Sequence, residues 1–363
     1  MRILHFITSL RTGGAERLVV GLAQQMHISG DEVEVLLMDG TRTPIVIELE
    51  KNGIPVHSLG KGPRAMYNPF LLPQLVRFLW KQPFDIVHTH NSPCQILAAF
   101  ALARLMITTE HGSRNRRRNW PWFKPIDRWM YGRYKKIVCV GEETRKTLSE
   151  WLGRPELDKK MTVIPNGIDL SKIATAIPSE DLTKRDGYKV LMVSAFRPEK
   201  DQQTLIRAVQ QLPEIYHLFL AGGAETPENQ RIFDECKARA RDLNVHFLGI
   251  RQDVPALLAA ADVIVLSSLH EGMSLSVLEG MASGKPLITS DVDGLRDLVS
   301  GAGLLFPPGD SEKLACLIRQ VCENPAFAHE IGERCRKRAA QYDIAETARR
   351  YREEYSKILS CPN

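Results

Sequence analysis

Glu271 and Glu279 stand eight positions apart in HEGMSLSVLEGMASGKPLITSDVDG, residues 270–294, a stretch otherwise dominated by apolar and small residues. Two carboxylates can serve as an acid–base pair or as acceptors for ligand hydroxyls. SLSVLEGMASG reads as a short helix from about Ser276 to Gly284, where a residue free to take positive φ is favoured. Glu271 then lies in the loop before the helix and Glu279 in its second turn. If the backbone were helical throughout, eight residues would rise about 12 Å, beyond the roughly 5 to 9.5 Å of glycosidase carboxylate pairs. The spacing suits the two ends of an elongated ligand instead. The amides of Gly272, Met273, Ser274 and Leu275 lie between them at a helix N-terminus suited to a diphosphate, leaving ribose for one end and a sugar for the other. A second reading stands beside this one: Ser276 and Glu279 form an S-x-x-E capping box, which accounts for the glutamate without any ligand.

Other candidates follow apolar runs. In TSLRTGGAER, Gly13 and Gly14 allow a tight turn that presents free N–H groups at a helix start, as phosphate binding requires, although a plain strand-to-helix turn has the same composition. His88 and His90 point to one side of a strand and could begin a metal site, but no third ligand has recognisable spacing, so packing or polar lining is the reading. Asp291-Val292-Asp293 has the form of a metal-holding D-x-D, and its place after PLITS makes it a loop feature. Residues 114–136, RNRRRNWPWFKPIDRWMYGRYKK, interleave basic and aromatic side chains. Arg116, Arg117, Arg118, Trp120 and Trp122 suit a lipid interface or an anionic acceptor; a basic surface loop over packed tryptophans is the alternative.

These residues need elements to hold them. Apolar β-rich runs (RILHFIT, EVEVLLM, FDIVHTH, MITTEHG, KKIVCVG and MTVIP, then YKVLMVS, HLFLAGG, NVHFLG, DVIVLSS and PLITS) alternate with amphipathic stretches. That alternation predicts parallel sheets with crossover helices, whose ligands bind beyond the carboxyl ends of the strands. The candidates do follow strands. A polar, turn-rich segment at 166–187 is read as a linker between two doubly wound domains, 1–165 and 188–343, with a final helix at 344–363 packing back towards the first.

Composition narrows the class. A chain of 363 residues has room for two cores, and 48 Lys and Arg against 43 Asp and Glu is too mild an excess for a dedicated nucleic-acid binder. Seven scattered cysteines without a C-x-x-C pair indicate neither a disulfide framework nor a zinc site and fit a reducing cytosol. The N-terminus reads as a first strand rather than a signal peptide, and no window reaches the roughly 20 apolar residues of a membrane span, so membrane contact would be peripheral.

The stretch E-G-M-S-L-S-V-L-E-G-M-A-S-G-K-P resembles the E-x7-E motif of family 4 retaining glycosyltransferases. GGAER, DIVHTH, strand-terminal His111, VIPNGID, RPEKD and FLGIRQDVPALLAAADVIVLSS occur in that family's order over nearly the whole chain. The resemblance implies the GT-B fold, two Rossmann-like domains facing across a cleft. It also implies roles: Glu279 for the nucleotide ribose, Glu271 for the donor sugar, residues 272–275 for sugar and phosphate, and Lys200 for the leaving diphosphate. By the same resemblance Gly13 and Gly14 bring amides to the donor and His111 contacts the sugar near the reacting carbon. Retention, by same-face attack with the phosphate taking the proton, is implied likewise, with no metal or other cofactor.

Three positions depart from the family pattern. Ala195 stands where an arginine is usual, with Arg197 two residues on as its substitute; Asp293-Gly294 replaces a Gly-Gly turn; Gly141 replaces a serine. The expectation is a cytoplasmic glycosyltransferase acting on a nucleotide-diphosphate sugar and a glycan acceptor, lipid-linked ones included, in surface polysaccharide synthesis. A nucleotide-sugar epimerase or phosphorylase on the same fold, or a non-catalytic nucleotide-sugar-binding protein, are the alternatives.

Overall fold

The computed structural model describes residues 1–11, 13–62, 68, 70–101, 103, 105–112 and 115–360, with the side chain of residue 116 outside the description. The chain divides into two compact units, Met1–Gly167 with Ile344–Asn363, and Ile168–Asp343.

The first unit is built on β1 (Arg2–Ile7), β2 (Glu32–Leu37), β3 (Val56–Ser58), β4 (Ile86–His90), β5 (Met106–Glu110), β6 (Lys136–Cys139) and β7 (Met161–Val163). All pair in parallel, in the order β3-β2-β1-β4-β5-β6-β7. Side chains alternate between the faces of a strand, and β1 shows the result. Ile3 and Ile7 join one buried cluster, Leu4 and Phe6 the other. Both faces must be apolar, which is why the strands read as continuous hydrophobic runs. The last helix, Ile344–Ser360, covers the Ile3 and Ile7 face with Tyr351 and Tyr355, both fully buried. It packs closely on the helix Gly14–Ile28: a Cβ on Gly21 would stand 2.8 Å from Ile344 Cγ1.

The second unit holds β8 (Tyr188–Val193), β9 (Tyr216–Ala221), β10 (Val245–Gly249), β11 (Val263–Leu266), β12 (Leu287–Ser290) and β13 (Leu304–Phe306), parallel in the order β10-β9-β8-β11-β12-β13. The segment 166–187, expected as a linker, carries two short helices, Leu170–Ala174 and Glu180–Thr183, whose Ile173 and Leu182 are buried in this unit's core. Two strands went unread in the sequence, β3 and β13, each an edge strand of three residues.

In each sheet the chain winds first to one side and then to the other, so β1 and β4 are neighbours, as are β8 and β11. The loops after such strands diverge and leave a crevice. The candidate residues lie after these strands and their neighbours.

Candidate active site

In the second unit, the loop after β8 and the loop after β11 are stitched together. Lys200 ends the 3-10 turn Pro198–Lys200, and its ammonium donates to the carboxylate of Glu271. The same carboxylate oxygen accepts from Ser268 Oγ at 2.7 Å. Backbone contacts hold the pair in place: Leu269 N–H donates to the Glu199 carbonyl at 2.8 Å, and the Ser267 hydroxyl lies 2.8 Å from the Asp201 carbonyl. Asp201 adopts φ 43°, a left-handed conformation that aspartate tolerates, and its carboxylate caps the helix Gln202–Val209 at Thr204 N–H.

Gly294 closes the floor. A Cβ there would stand 2.2 Å from the carbonyl oxygens of both Glu271 and Gly272, so only glycine lets the helix Asp293–Val299 approach this loop. Of the Gly-Gly turn usual in the family, this chain therefore keeps the glycine that the packing requires. Asp293 is the first residue of that helix.

The helix that carries Glu279 runs Leu275–Ala282, close to the expected span from near Ser276 to Gly284. Its N-cap is Ser274, which makes no side-chain cap bond, and Ser276 is already inside the first turn. A capping box needs its serine at the N-cap position. Capping therefore does not explain Glu279, which is partly buried in the second turn after the amides of Gly272 to Leu275.

The phosphate-side candidates are less tightly held. Arg197 is half exposed, 3.9 Å from Glu199, and lines a groove of about 390 Å³ with Glu228, Arg231 and Glu235. The Ala195 carbonyl accepts from Gln202 Nε2 at 2.9 Å. The D-x-D carboxylates are bridged by a cation of the chain itself: Arg296 donates to Asp291 at 2.6 Å and to Asp293 at 3.2 Å.

In the first unit, Gly13 is the extended N-cap of the helix starting at Gly14, with the Glu16 carboxylate folded over its α-carbon. His111 follows β5 and its Nε2 lies 3.1 Å from His90 Nδ1; His90 Nε2 in turn lies 3.1 Å from His5 Nδ1. His5, the third histidine that spacing did not reveal, comes from β1, where the register sets it opposite His88. Burial lowers the pKa of His5 to about 3 and of His111 to about 4, the latter against the pull of Glu110, and holds His88 and His90 well below the ordinary value, with the neighbouring histidines adding to the effect. All four rings are neutral at physiological pH. His88 belongs to a separate set of contacts, with Nδ1 2.6 Å from Tyr355 Oη and Nε2 2.8 Å from Thr109 Oγ1.

The basic aromatic segment needs a correction. Arg117 and Arg118 were expected to face a membrane or acceptor, but Arg117 is buried and the Arg118 side chain is only 7% exposed. Arg118 pairs with Glu110 at 2.7 Å and Arg117 with Asp127 at 3.0 Å. Tyr131 Oη donates to Glu110 at 2.5 Å, and Gln95 and Trp151 add hydrogen bonds to Glu110 and Asp127. Charges removed from water need partners of this kind, and the sequence shows neither partner's orientation. Burial alone would raise the Glu110 pKa, but Arg118, Tyr131, Arg117 and Gln95 outweigh it and hold it low. The side chain of Arg116 lies outside the described residues. The aromatic residues do face outward: Trp120 and Trp122 are 52% and 63% exposed, and Trp122 stacks on Phe123 with centroids 3.9 Å apart.

Residues 12–172 match the family described as Glycosyltransferase Family 4, and residues 175–338 match Glycosyl transferases group 1. The chain belongs to glycosyltransferase family 4.

Among the relatives of this family 4 glycosyltransferase is the Escherichia coli UDP-Gal:alpha-D-GlcNAc-diphosphoundecaprenol alpha-1,3-galactosyltransferase, 28% identical over 292 residues, 73% of each chain. Another is the phosphatidyl-myo-inositol mannosyltransferase of Mycolicibacterium smegmatis, 26% identical over 91% of this chain and 86% of the relative. The crystal structure of Anabaena HepE in complex with UDP-glucose superposes with a TM-score of 0.86 at 23% identity, covering 98% of this chain and 100% of HepE. Its two Rossmann-like sheets of seven and six strands give this glycosyltransferase the GT-B fold. Sequence reasoning missed Ser267 and Ser268 in the second unit, which brace Lys200 and Glu271, and His5 in the first. The serines follow a buried strand and His5 lies within one, positions where a polar side chain needs a partner; that was the available signal.

Proposed function

We propose that this glycosyltransferase is a retaining, metal-independent enzyme that moves a sugar from a nucleotide-diphosphate sugar to a hydroxyl of a glycan acceptor, a lipid-linked one included, in surface polysaccharide synthesis. The Lys200–Glu271 ion pair at the β8/β11 switch point carries this reading. It puts a cation for the leaving diphosphate beside a carboxylate for sugar hydroxyls, with the amides of Gly272 to Leu275 next in the chain. Glu279 takes the ribose hydroxyls at the other end. For His111, Gly13 and Gly14 the assignment rests on the family motif.

In the transfer step the acceptor oxygen forms a bond to the anomeric carbon on the face from which the diphosphate departs. The carbon–oxygen bond to phosphate breaks, its electron pair leaves with the diphosphate, and the acceptor proton passes to a phosphate oxygen. Lys200, Arg197 and helix-end amides offset the charge growing on the leaving group, and fixed dipoles and cations aimed at such a charge lower a barrier more than most other devices of an active site. The names of the relatives support the substrate classes: UDP-Gal with a diphosphoundecaprenol-linked acceptor for the Escherichia coli enzyme and phosphatidyl-myo-inositol for the mycobacterial one.

Membrane or acceptor contact passes, in this proposal, from the arginines to the exposed aromatics Trp120, Trp122 and Trp129, the last beside Phe100 at a ring distance of 4.6 Å. Among the described residues no helix is long and apolar enough to cross a membrane. The test is transfer from a panel of UDP-, GDP- and dTDP-sugars to short glycan-diphospholipids in the presence of EDTA, with the product's anomeric configuration read by NMR. Turnover with retained configuration is expected. Inversion, or turnover that chelation abolishes and magnesium restores, contradicts the reading.

A further inference from the structure

The histidine row leaves one atom unexplained: Nε2 of His5 is fully buried with no hydrogen-bond partner. We propose that His5 and His90 are positioning residues that fix the tautomer of His111, so that His111 carries its proton on Nδ1 and presents a hydrogen-bond donor there. The proposal rests on the reading above only for its catalytic consequence.

A neutral imidazole has one N–H and one lone pair. Each link of the row, His5 Nδ1 to His90 Nε2 and His90 Nδ1 to His111 Nε2, is 3.1 Å long and needs one donor and one acceptor. Because burial keeps the rings neutral, the direction of one link dictates the other. Two arrangements satisfy both links. In the first, each ring bears its proton on Nδ1, the bonds run outward from His5, and the leftover atom is a lone pair on His5 Nε2. In the second, each ring bears its proton on Nε2, the bonds run inward from His111, and the leftover is an N–H on His5 Nε2.

The buried end decides between them. A buried N–H without an acceptor is the rarer defect in folded proteins. His88 cannot relieve it, since both its nitrogens are engaged by Tyr355 and Thr109, and Thr109 in turn meets Tyr351 Oη at 3.0 Å. The first arrangement follows. His111 Nε2 is then an acceptor occupied by His90, and Nδ1–H is the group left to donate. Such a donor suits a sugar hydroxyl oxygen or the developing charge on a leaving oxygen, whereas the opposite tautomer would offer a base.

His5, His88 and His90 also place one nitrogen each within 4.8 Å of one another, as three ligands of a metal would. Both nitrogens of His88 and of His90 already have partners, so a cation would have to displace those hydrogen bonds. The bonds favour the row.

The test is long-range ¹H–¹⁵N correlation on the full chain labelled with ¹⁵N-histidine at pH 7.5, with His111 assigned through His111→Gln. The expected spectrum shows His5, His90 and His111 protonated on Nδ1 with Nε2 as acceptor; His111 protonated on Nε2 overturns the proposal. In His90→Phe, His111 should relax to a mixture of tautomers with the remaining backbone spectrum intact, and kcat should fall about ten- to a hundredfold, by analogy with partners that orient metal-bound imidazoles, at a nearly constant donor KM. An unchanged His111 signal in that variant contradicts the proposal. Equimolar Zn²⁺ should leave the spectrum unaltered, and metal-induced shifts at His5, His88 and His90 would replace the row with a metal site. If no donor supports turnover, the proposed function fails while the tautomer assignment is still decided by the spectrum.

Discussion

Lys200 and Glu271, 71 positions apart in the chain, form one partly buried ion pair that joins the loops after two adjacent strands, with side chains 18% and 10% exposed. A pair so placed stabilises the loops only while both partners are present, because removing one leaves a charge short of solvation. A bound diphosphate would give Lys200 a second anionic partner without breaking the first contact.

Lys200→Met should therefore destabilise the protein by about 2 kcal/mol, less than breaking a fully buried pair, whereas Glu271→Gln, which keeps an acceptor for Ser268 and Lys200, should cost under about 1 kcal/mol. Chemical denaturation of both single variants and the double variant measures the coupling. Additive effects would mean the pair is not formed.

Gly294→Ala puts a methyl group against the Glu271 and Gly272 carbonyls. The loop must shift, which should cost about 1–3 kcal/mol, the range for overpacking, and should weaken donor binding. Gly132→Ala is the control: its Cβ would meet nothing within 4 Å on a helix, so it should be neutral or slightly stabilising. Equal melting temperatures for the two variants would contradict the close approach at Gly294.

The histidine row makes stability depend on pH. His5 and His111 take up protons in the folded state only near pH 3 and 4, and His88 and His90 well below their ordinary value, while the unfolded chain does so around 6.5. Between those limits the unfolded state binds more protons, so stability should rise with pH and be lost on acidification, by up to about 1.4 kcal/mol per pH unit for each histidine. The depressed Glu110 adds loss in the same direction at lower pH, and Asp127, raised by burial against the pull of Arg117, opposes it. His5→Phe should flatten the slope between pH 4.5 and 6 by about one proton. Denaturation midpoints across that range check it, and an unchanged slope would mean His5 is protonated in the fold.

For the basic aromatic segment the prediction separates two kinds of residue. Arg118→Ser, which strands Glu110, should cost about 3–5 kcal/mol of stability. Trp120→Ser with Trp122→Ser should leave melting nearly unchanged and weaken binding to anionic liposomes by about 1 kcal/mol per tryptophan. Undiminished liposome binding in the tryptophan variant would leave these side chains as ordinary surface.

Much of this arrangement was legible in the sequence because parallel strands buried on both faces leave long apolar runs, and because ligand-facing residues must follow them. What escaped notice did so for physical reasons. β3 and β13 are three residues long and lie at sheet edges, too short for any pattern. The helix that carries Glu279 is capped at Ser274, whose side chain makes no cap bond, so the S-x-x-E spacing at Ser276 pointed two residues past the N-cap. Arg117 and Arg118 carried the right charge for a surface role, but Asp127 and Glu110 claim them from other elements, a helix and a strand whose placement no local period reveals. His5 could be placed only once the register of β1 against β4 was known.

If the second unit holds a nucleotide-diphosphate sugar between Lys200–Glu271 and Glu279, calorimetric titration of wild type and Glu279→Gln with the nucleotide sugar that supports turnover should show it most directly. Glutamine keeps the size of glutamate and a carbonyl oxygen that accepts hydrogen bonds, so the substitution should leave melting near normal. It removes a charged acceptor for ribose hydroxyls, so donor affinity should weaken by about 1.5–3 kcal/mol, roughly ten- to a hundredfold in Kd. Unchanged affinity in Glu279→Gln, with melting intact, would contradict the account.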